Sequence, residues 1–212
     1  MQQQIWQSPD FLQLDGQFVT LKPLVPERDV EALFAASHGT PEKEAVWNYL
    51  FYGSFDNSSA MQDWMERDMI GQSDPLTWTV FENSSNFQVG IVALLAIAPD
   101  HGRAEIGHVW FTSAVHKGKV NTESQFLLLR HLFEHHVYRR VEWKCDALNH
   151  ASRTTATRMG FLYEGRFRQH MVVRGKNRDT DWFAMTDKEW RRCKANFEKW
   201  LYSNNTFAKI RA

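Results

Sequence analysis

The sequence predicts an α+β (mixed α/β) fold, because strand-like and helix-like segments follow one another in an uneven order. Two hairpin signals predict antiparallel strands: turn residues at 83–86 and at 175–177 each lie between two segments rich in β-forming residues. Between the hairpins, the order strand, helix, strand, helix over 104–159 predicts one parallel crossover. We therefore expect a mostly antiparallel central sheet with a single parallel pair and flanking helices.

The first half of the chain has a strand, a helical region and a run of strands. Alternation in 17–24 predicts the opening strand, and Pro26 followed by acidic residues is typical of a helix start. Pro41 opens a second helical segment, and a serine at 58 or 59 opens a third. The predicted elements of this half are a strand at 17–24, helices at 27–38, after 41 and at about 58–70, and strands at 77–81, 87–97 and 104–111.

The second half has clearer helix ends. An amphipathic pattern predicts a helix from Thr122 to about Val137, which begins with a capping box at Thr122 or with Asn121 as the competing cap. Asn149 and Gly160 are typical of an N-cap and of the residue after a C-cap, and they bracket a second helix. The remaining elements are a strand at 141–147, a hairpin of 163–173 and 179–185, and a last helix at about 187–202 that begins at Thr186 or Asp187.

Composition is that of an ordinary globular protein. The 212 residues are 43% hydrophobic and 24% charged, which excludes disorder, and we expect one domain over 1–212. Two cysteines, Cys145 and Cys193, cannot form a disulfide framework or a four-cysteine zinc site. Neither a signal peptide nor an apolar run of the ~18 residues that a membrane helix needs is visible. We therefore expect a cytoplasmic protein without a membrane partner.

The formal net charge is +0, but the charge is unevenly distributed. Residues 1–100 carry 14 acidic and 4 basic side chains, whereas 101–212 carry 11 acidic and 21 basic ones. This asymmetry predicts an anionic partner on the C-terminal half and a cationic or mixed one on the N-terminal half, unless the halves neutralise each other. The arginines are not interleaved as a stacking platform, so nucleic acid is not an expected partner.

The segment 116–122 has the chemistry of an anion site. Gly118 permits a tight backbone path, and Lys117 and Lys119 flank it. A helix start also presents free backbone N–H groups and a positive dipole end, which suit a phosphate or pyrophosphate. The segment has neither a P-loop nor a Rossmann glycine pattern, and an ordinary helix start after a basic loop is the competing interpretation.

Several short motifs, in order along the chain, resemble those of one family. They are Thr20, Leu21 and Pro23 after the turn at Asp15; Glu105-Ile106-Gly107 with Trp110; Asn121-Thr122-Glu123 with Leu127-Leu128-Leu129; and Asn149, Ser152, Gly160-Phe161 and Glu164-Gly165. On these motifs, over about residues 14–190, the chain resembles the GNAT superfamily of acyl-CoA-dependent N-acetyltransferases, and within it the RimJ/RimL-like branch of ribosomal-protein N-terminal acetyltransferases. The resemblance implies a GNAT-like sheet with a splayed parallel strand pair.

The resemblance also implies acetyl-CoA as the acetyl donor and no metal. In the family the pantetheine arm lies between two splayed parallel strands, which correspond here to 104–111 and 141–147. The pyrophosphate lies on the loop before the long helix. The implied cofactor-binding residues are Val109, Trp110, Phe111, Lys117, Gly118, Lys119, Val120, Asn121, Thr122 and Asn149.

Two residues are candidates for catalysis. Glu105 lies in an apolar strand, where an ionised carboxylate is costly unless it is used or paired, so it is the candidate base for the amine. An edge position or an ion pair with Arg103 is the competing explanation. Many GNAT enzymes have a tyrosine as general acid five residues before the residue equivalent to Phe161, but this chain has Ala156 there. Ser152 is therefore the implied acid, with helix capping as its alternative role.

The histidines and aromatic residues are less specific. His131 and His135 have a metal-ligand spacing, but no third ligand accompanies them, so a metal is not expected. His108 is predicted to be packed on the strand face opposite Glu105, and it would act as a base only if that face assignment is wrong. In the family, the helices of the N-terminal half roof the acceptor cleft. The aromatic residues of that half are Trp47, Trp64 and Trp78 with Tyr49, Phe51 and Tyr52, although core packing explains any single tryptophan.

The sequence thus predicts an acetyl-CoA-dependent N-acetyltransferase that acts on a primary amine, which is either a protein N-terminus or a small amine. The aromatic, acidic N-terminal half suits a cationic amine with an apolar body. The competing function is a coenzyme A-binding or protein-interaction module without catalysis, since Ala156 and the loop at 116–120 depart from the family pattern. A homodimer would fit the branch.

Overall fold

The computed structural model describes residues 6–70, 73–115 and 118–203. The helices are α1 Pro26–Ser37, α2 Pro41–Glu44, α3 Ser58–Trp64, α4 Lys119–Arg130, α5 His150–Arg158 and α6 Asp187–Tyr202. The strands are β1 Leu14–Asp15, β2 Val19–Pro23, β3 Leu76–Glu82, β4 Phe87–Ala98, β5 Arg103–Phe111, β6 Arg140–Asp146, β7 Leu162–Val173 and β8 Lys176–Thr186. Their order in the sheet is β1-β2-β3-β4-β5-β6-β8-β7. The mixed α/β fold and both hairpins are confirmed.

The parallel pair consists of β5 and β6, as the sequence predicts. Its register joins Arg103 to Arg140, Ala104 to Val141 and Glu105 to Glu142. The pairing therefore covers the first three residues of each strand, although both strands are fully described and continue to Phe111 and Asp146. A parallel pair that ends this early agrees with the predicted splay.

The chain divides into two compact units. Unit A comprises residues 10–96 and 106–127, and unit B comprises 1–9, 97–105 and 128–212. One domain over 1–212 stays a prediction. Among the described residues, none of the helices combines the length and the apolar character that crossing a membrane requires.

The core of unit A is aromatic. α1 begins at Pro26, whose missing N–H costs nothing at a helix start, and acidic residues follow in the first turn. Trp47 and Trp64 are 2% and 4% exposed, and their rings meet edge to face with centroids 6.4 Å apart. The buried members of this cluster are Leu24, Val30, Leu33, Trp47, Met61, Trp64, Met65, Met69, Ile91 and Trp110.

The helix ends of unit B follow local rules. Asn149 caps α5, because its side-chain oxygen accepts the backbone N–H of Ser152 at 3.0 Å. At the other end Gly160 has φ +94°, and the N–H of Phe161 reaches back to the carbonyl of Ala156, the pattern of a Schellman motif. α6 begins with a capping box between Thr186 and Glu189. All three helix ends were predicted from the sequence.

The predicted start of α4 is wrong by three residues. The helix begins at Lys119, so Asn121 and Thr122 lie inside its first turns and do not cap it. The four residues 122–125 are all fully buried, so this part of the helix packs in the interior. The predicted cap of α3 is also wrong, because Asn57 caps this helix and neither serine does.

Candidate active site

Gly118, the residue before α4, lies close to Val115. A Cβ on Gly118 would lie 3.3 Å from the carbonyl oxygen of Val115, so the chain passes close to itself here. The Lys119 ammonium lies 4.6 Å from the ring centroid of Phe18. His116 and Lys117 lie outside the described residues. Because α4 begins at Lys119, the backbone N–H groups of its first turn belong to the residues for which phosphate binding was predicted.

Two amide side chains in the first turns of α4 have buried, unpartnered polar atoms. The Oδ1 of Asn121 and both amide atoms of Gln125 are buried and have no hydrogen-bond partner among the described residues. Buried polar groups are almost always bonded to protein, water or a ligand. The residues are four apart and share one helix face, so this face fits a polar ligand such as a phosphate with its water shell. Gln125 was missed as a candidate site residue, although its spacing from Asn121 was a usable signal.

The predicted cofactor residues on β5 lie mainly in the interior. Val109 is half-buried, whereas Trp110 and Phe111 are each 3% exposed. The indole N–H of Trp110 is buried without a partner among the described residues. His108, in the middle of the strand, has φ +49°, a left-handed conformation that is rare outside glycine. This distortion breaks the period-two alternation, so the faces of residues beyond it cannot be read from spacing.

His108 forms a pair with Tyr52 that sequence reasoning missed. The phenol oxygen lies 2.9 Å from Nδ1 of the imidazole, and the two rings stack with centroids 5.6 Å apart. Burial lowers the pKa of His108, and Asp74 and Asp68 act weakly in the opposite direction. Burial also raises the pKa of the Tyr52 phenol. Both groups are therefore neutral near pH 7.

The tryptophans considered for the acceptor roof are core residues. Trp47, Trp64 and Trp78 are at most 4% exposed, and the indole of Trp78 donates to the carbonyl of Leu12. Tyr49 and Phe51 are 41% and 46% exposed on the loop after Trp47. Of the six aromatic residues considered for the roof, Tyr49 and Phe51 are the exposed ones.

In unit B, Glu105 is buried and ion-paired. It is 8% exposed, and its Oε2 accepts a hydrogen bond from the Lys144 ammonium at 2.7 Å. Burial raises the pKa of the Glu105 carboxyl, while the Lys144 charge and hydrogen bond lower it. The predicted alternative partner, Arg103, instead lies 3.8 Å from Glu142. The position is the last paired residue of β5 on β6, not a sheet edge.

Lys144 was not predicted, although β6 carried a signal. Charged residues recur at every second position of this strand, at Arg140, Glu142, Lys144 and Asp146. Period two places them on one face of the sheet. A strand with one fully charged face next to a lone Glu105 indicates an ion-pair network.

Ser152 is half-buried at the start of α5. The indole N–H of Trp143 donates to its Oγ at 2.9 Å, and its backbone N–H is bonded to Asn149. The hydroxyl therefore does not cap the helix, which was its alternative role. Burial raises the pKa of the neighbouring Cys145 thiol to about 11, and a hydrogen bond from Ser152 acts in the opposite direction. Cys145 and Cys193 are both buried free thiols.

The two histidines at metal-ligand spacing do not form a site. His131 is 5% exposed, and its ring centroid lies 6.0 Å from that of His135. Within the described ranges, no group of three or more His, Cys, Asp or Glu side chains could hold a metal ion.

Comparison with known proteins identifies the family. Residues 19–162 match the family described as "Acetyltransferase (GNAT) domain", which covers more than half of the chain. The chain therefore belongs to the GNAT acetyltransferase family. It is also 28% identical over 101 residues to YdaF of Bacillus subtilis (strain 168), to which a ribosomal N-acetyltransferase activity is attributed. That match covers 48% of this chain and 55% of the relative, so the chain matches about half the length of its curated relative.

Solved structures agree with this assignment. A GCN5-related N-acetyltransferase from Brucella melitensis superposes with a TM-score of 0.92 at 33% identity, covering 99% of this chain and 96% of that one. RimJ of Mycobacterium smegmatis, solved in complex with CoA-disulfide, has a TM-score of 0.71 at 20% identity, covering 85% and 87% of the two chains. The second likeness concerns the fold alone. The name of YdaF agrees with the branch that the motifs resemble.

Proposed function

We propose that the protein is an acetyl-CoA-dependent N-acetyltransferase that transfers the acetyl group directly to a primary amine. The family match over 19–162 carries this proposal, because it includes β5, the start of α4 and the start of α5. The two buried free cysteines are consistent with a reducing, cytoplasmic compartment.

The residues at the start of α4 fit the donor. The first-turn N–H groups and Lys119 supply positive charge for a pyrophosphate, with Lys117 as a second cation from the sequence. The Oδ1 of Asn121 and the amide of Gln125 offer hydrogen bonds that no described residue uses. By the family resemblance, Val109, Trp110, Phe111 and Asn149 would contact the rest of the donor. The bound donor supplies the activated thioester carbonyl.

The chain offers a base and an acid for the transfer. The thioester C–S bond is replaced by an amide C–N bond, so the amine must lose a proton and the leaving thiolate must gain one. Glu105 is the proposed proton acceptor, acting through water as the amine binds. Ser152 is the proposed donor: its oxygen accepts from Trp143, and its hydroxyl carries the proton that the thiolate would take.

The acceptor is proposed to be an amine with an apolar neighbour, such as a protein N-terminus. Residues 1–100 carry a large excess of acidic side chains, which attracts a cationic amine. Tyr49 and Phe51 present exposed aromatic surface to an apolar side chain. The activity attributed to YdaF supports a ribosomal-protein N-terminus within this class.

Thiol release from acetyl-CoA with a panel of amines tests the proposal. The panel contains peptides with free and blocked N-termini, polyamines, and a carboxylate and an alcohol as controls. We expect release with free-amine peptides and none with the blocked ones. Tight coenzyme A binding in calorimetry without turnover of any amine would favour the alternative, a binding module without catalysis.

A further inference from the structure

An ion-pair network in unit B surrounds the proposed base. The carboxylates of Glu105 and Glu142 are register partners on β5 and β6, which is an unfavourable juxtaposition of like charges without a cation. The Lys144 ammonium lies 2.7 Å from Glu105 and 3.1 Å from Glu142, so one cation serves both carboxylates.

Glu142 has other partners, and Glu105 depends more on Lys144. Arg140 donates to Glu142 at 2.9 Å, and Arg103 lies 3.8 Å from the same carboxylate. Glu105 accepts a direct hydrogen bond from Lys144, and Arg178 on β8 adds a weaker electrostatic attraction. Removing Lys144 would thus leave Glu142 paired and Glu105 buried beside a negative charge.

Lys144 itself is held in place. Its ammonium lies 4.0 Å from the ring centroid of Trp182, its register partner on β8, and its side chain is 17% exposed. Phe167 in turn stacks on Trp182, with the two ring centroids 4.7 Å apart. A cation fixed by an aromatic face loses little further freedom when it bonds a carboxylate.

We propose that Lys144 is the positioning residue that keeps Glu105 ionised and oriented, and that the balance between Lys144 and Glu142 sets the pH range of acetyl transfer. This inference rests on the proposed function, because it assigns Glu105 the role of base. A base must be unprotonated to accept a proton, so whatever stabilises the carboxylate extends activity to lower pH.

The proposal predicts opposite shifts for two substitutions. Lys144→Met removes the cation and keeps an apolar stem on Trp182, so the acid limb of kcat/KM should move up by about one pH unit or more. Glu142→Gln removes the neighbouring negative charge and leaves Lys144 to Glu105 alone, so the acid limb should move down. Lys144→Arg keeps the charge and should resemble the parent. A merely structural role for Lys144 would lower the rate at every pH without moving the limb.

A measurement without turnover separates this inference from the proposed function. Carbon-13 NMR of selectively labelled glutamate carboxyls, with the Glu105 signal assigned from Glu105→Gln, reports the titration of Glu105 directly. We expect its midpoint to rise in Lys144→Met and to fall in Glu142→Gln. An unchanged midpoint in both variants overturns the inference, even if the enzyme is active.

The remaining outcomes are equally decisive. Shifted NMR midpoints with a fixed pH–rate profile would show that Glu105 is not the base, which overturns the inference together with that catalytic role. If Glu105→Gln loses activity but the pH–rate profile does not move in Lys144→Met and Glu142→Gln, Glu105 stays the base and the positioning role of Lys144 is overturned. If Lys144→Met does not fold, Glu142→Gln alone still tests the inference, because the acid limb and the Glu105 midpoint should move down in that variant.

Discussion

A buried carboxylate on α4 provides the sharpest test of the fold. Glu123 on α4 is fully buried, and its two oxygens accept the backbone N–H groups of Gln17, Phe18 and Val19 at 3.0, 2.6 and 2.9 Å. One side chain thus serves the whole turn between β1 and β2. Glu123→Ala removes the acceptor for three backbone donors at once.

The expected loss follows from these three contacts. A hydrogen bond to a charged group contributes about 1.5–3 kcal/mol, and a buried donor left without a partner costs about 1–3 kcal/mol. Two of the three donors are only partly buried, and water will satisfy them in the variant. We therefore expect Glu123→Ala to lower the free energy of unfolding by about 3–5 kcal/mol, a large share of the usual 5–15 kcal/mol. For a chain of this length, each kcal/mol corresponds to about 2–4 °C in Tm.

Urea unfolding followed by circular dichroism measures the effect. The matched control is Glu66→Ala, which removes an exposed carboxylate bonded to Gln62 and should change stability by about 0.5 kcal/mol or less. A second arm uses Gly16, where a Cβ would lie 2.5 Å from Oε2 of Glu123. Gly16→Ala should be strongly destabilising alone and less so in the Glu123→Ala background. A loss below about 1 kcal/mol in Glu123→Ala, or strict additivity with Gly16→Ala, would refute this reasoning.

Three further predictions concern the site. Reversing the charge of both Lys117 and Lys119 should weaken coenzyme A binding by more than about tenfold at low salt, or about 1.4 kcal/mol. Calorimetry measures the affinity, and an unchanged value would show that the phosphates bind at another place. Glu105→Gln should lower the rate by about 10²-fold near neutral pH, with a smaller loss as pH rises and free amine accumulates; a pH–rate profile that matches the parent throughout would leave Glu105 a structural residue. Burial depresses the pKa of His108, so stability that is present above about pH 6.5 should be lost as pH falls. Urea unfolding at about pH 7.5 and about pH 5.5 measures this loss of unfolding free energy, which should be smaller in His108→Asn than in the parent. An equal loss in both proteins would show that protonation of His108 beside Tyr52 is not coupled to unfolding.

The sequence by itself determined the elements whose signals are local. Pro26, the Asn149 cap, the glycine at 160 and the capping box at Thr186 each act within about four residues, so their effect does not depend on the rest of the chain. The hairpin turns and the single parallel crossover follow from the same short-range chemistry and from the order of elements. The family motifs added the location of the proposed donor site.

Tertiary structure decided what depends on distant partners. Residues 122–125 of α4 are fully buried, and Glu123 bonds a turn more than 100 residues earlier. The partner of Glu105 is Lys144, 39 residues away, because the register of β5 on β6 brings that face of β6 beside it. The distorted backbone at His108 likewise has no local signature. Local hydrogen-bond rules fix where elements begin and end, whereas strand register and burial decide which charges meet.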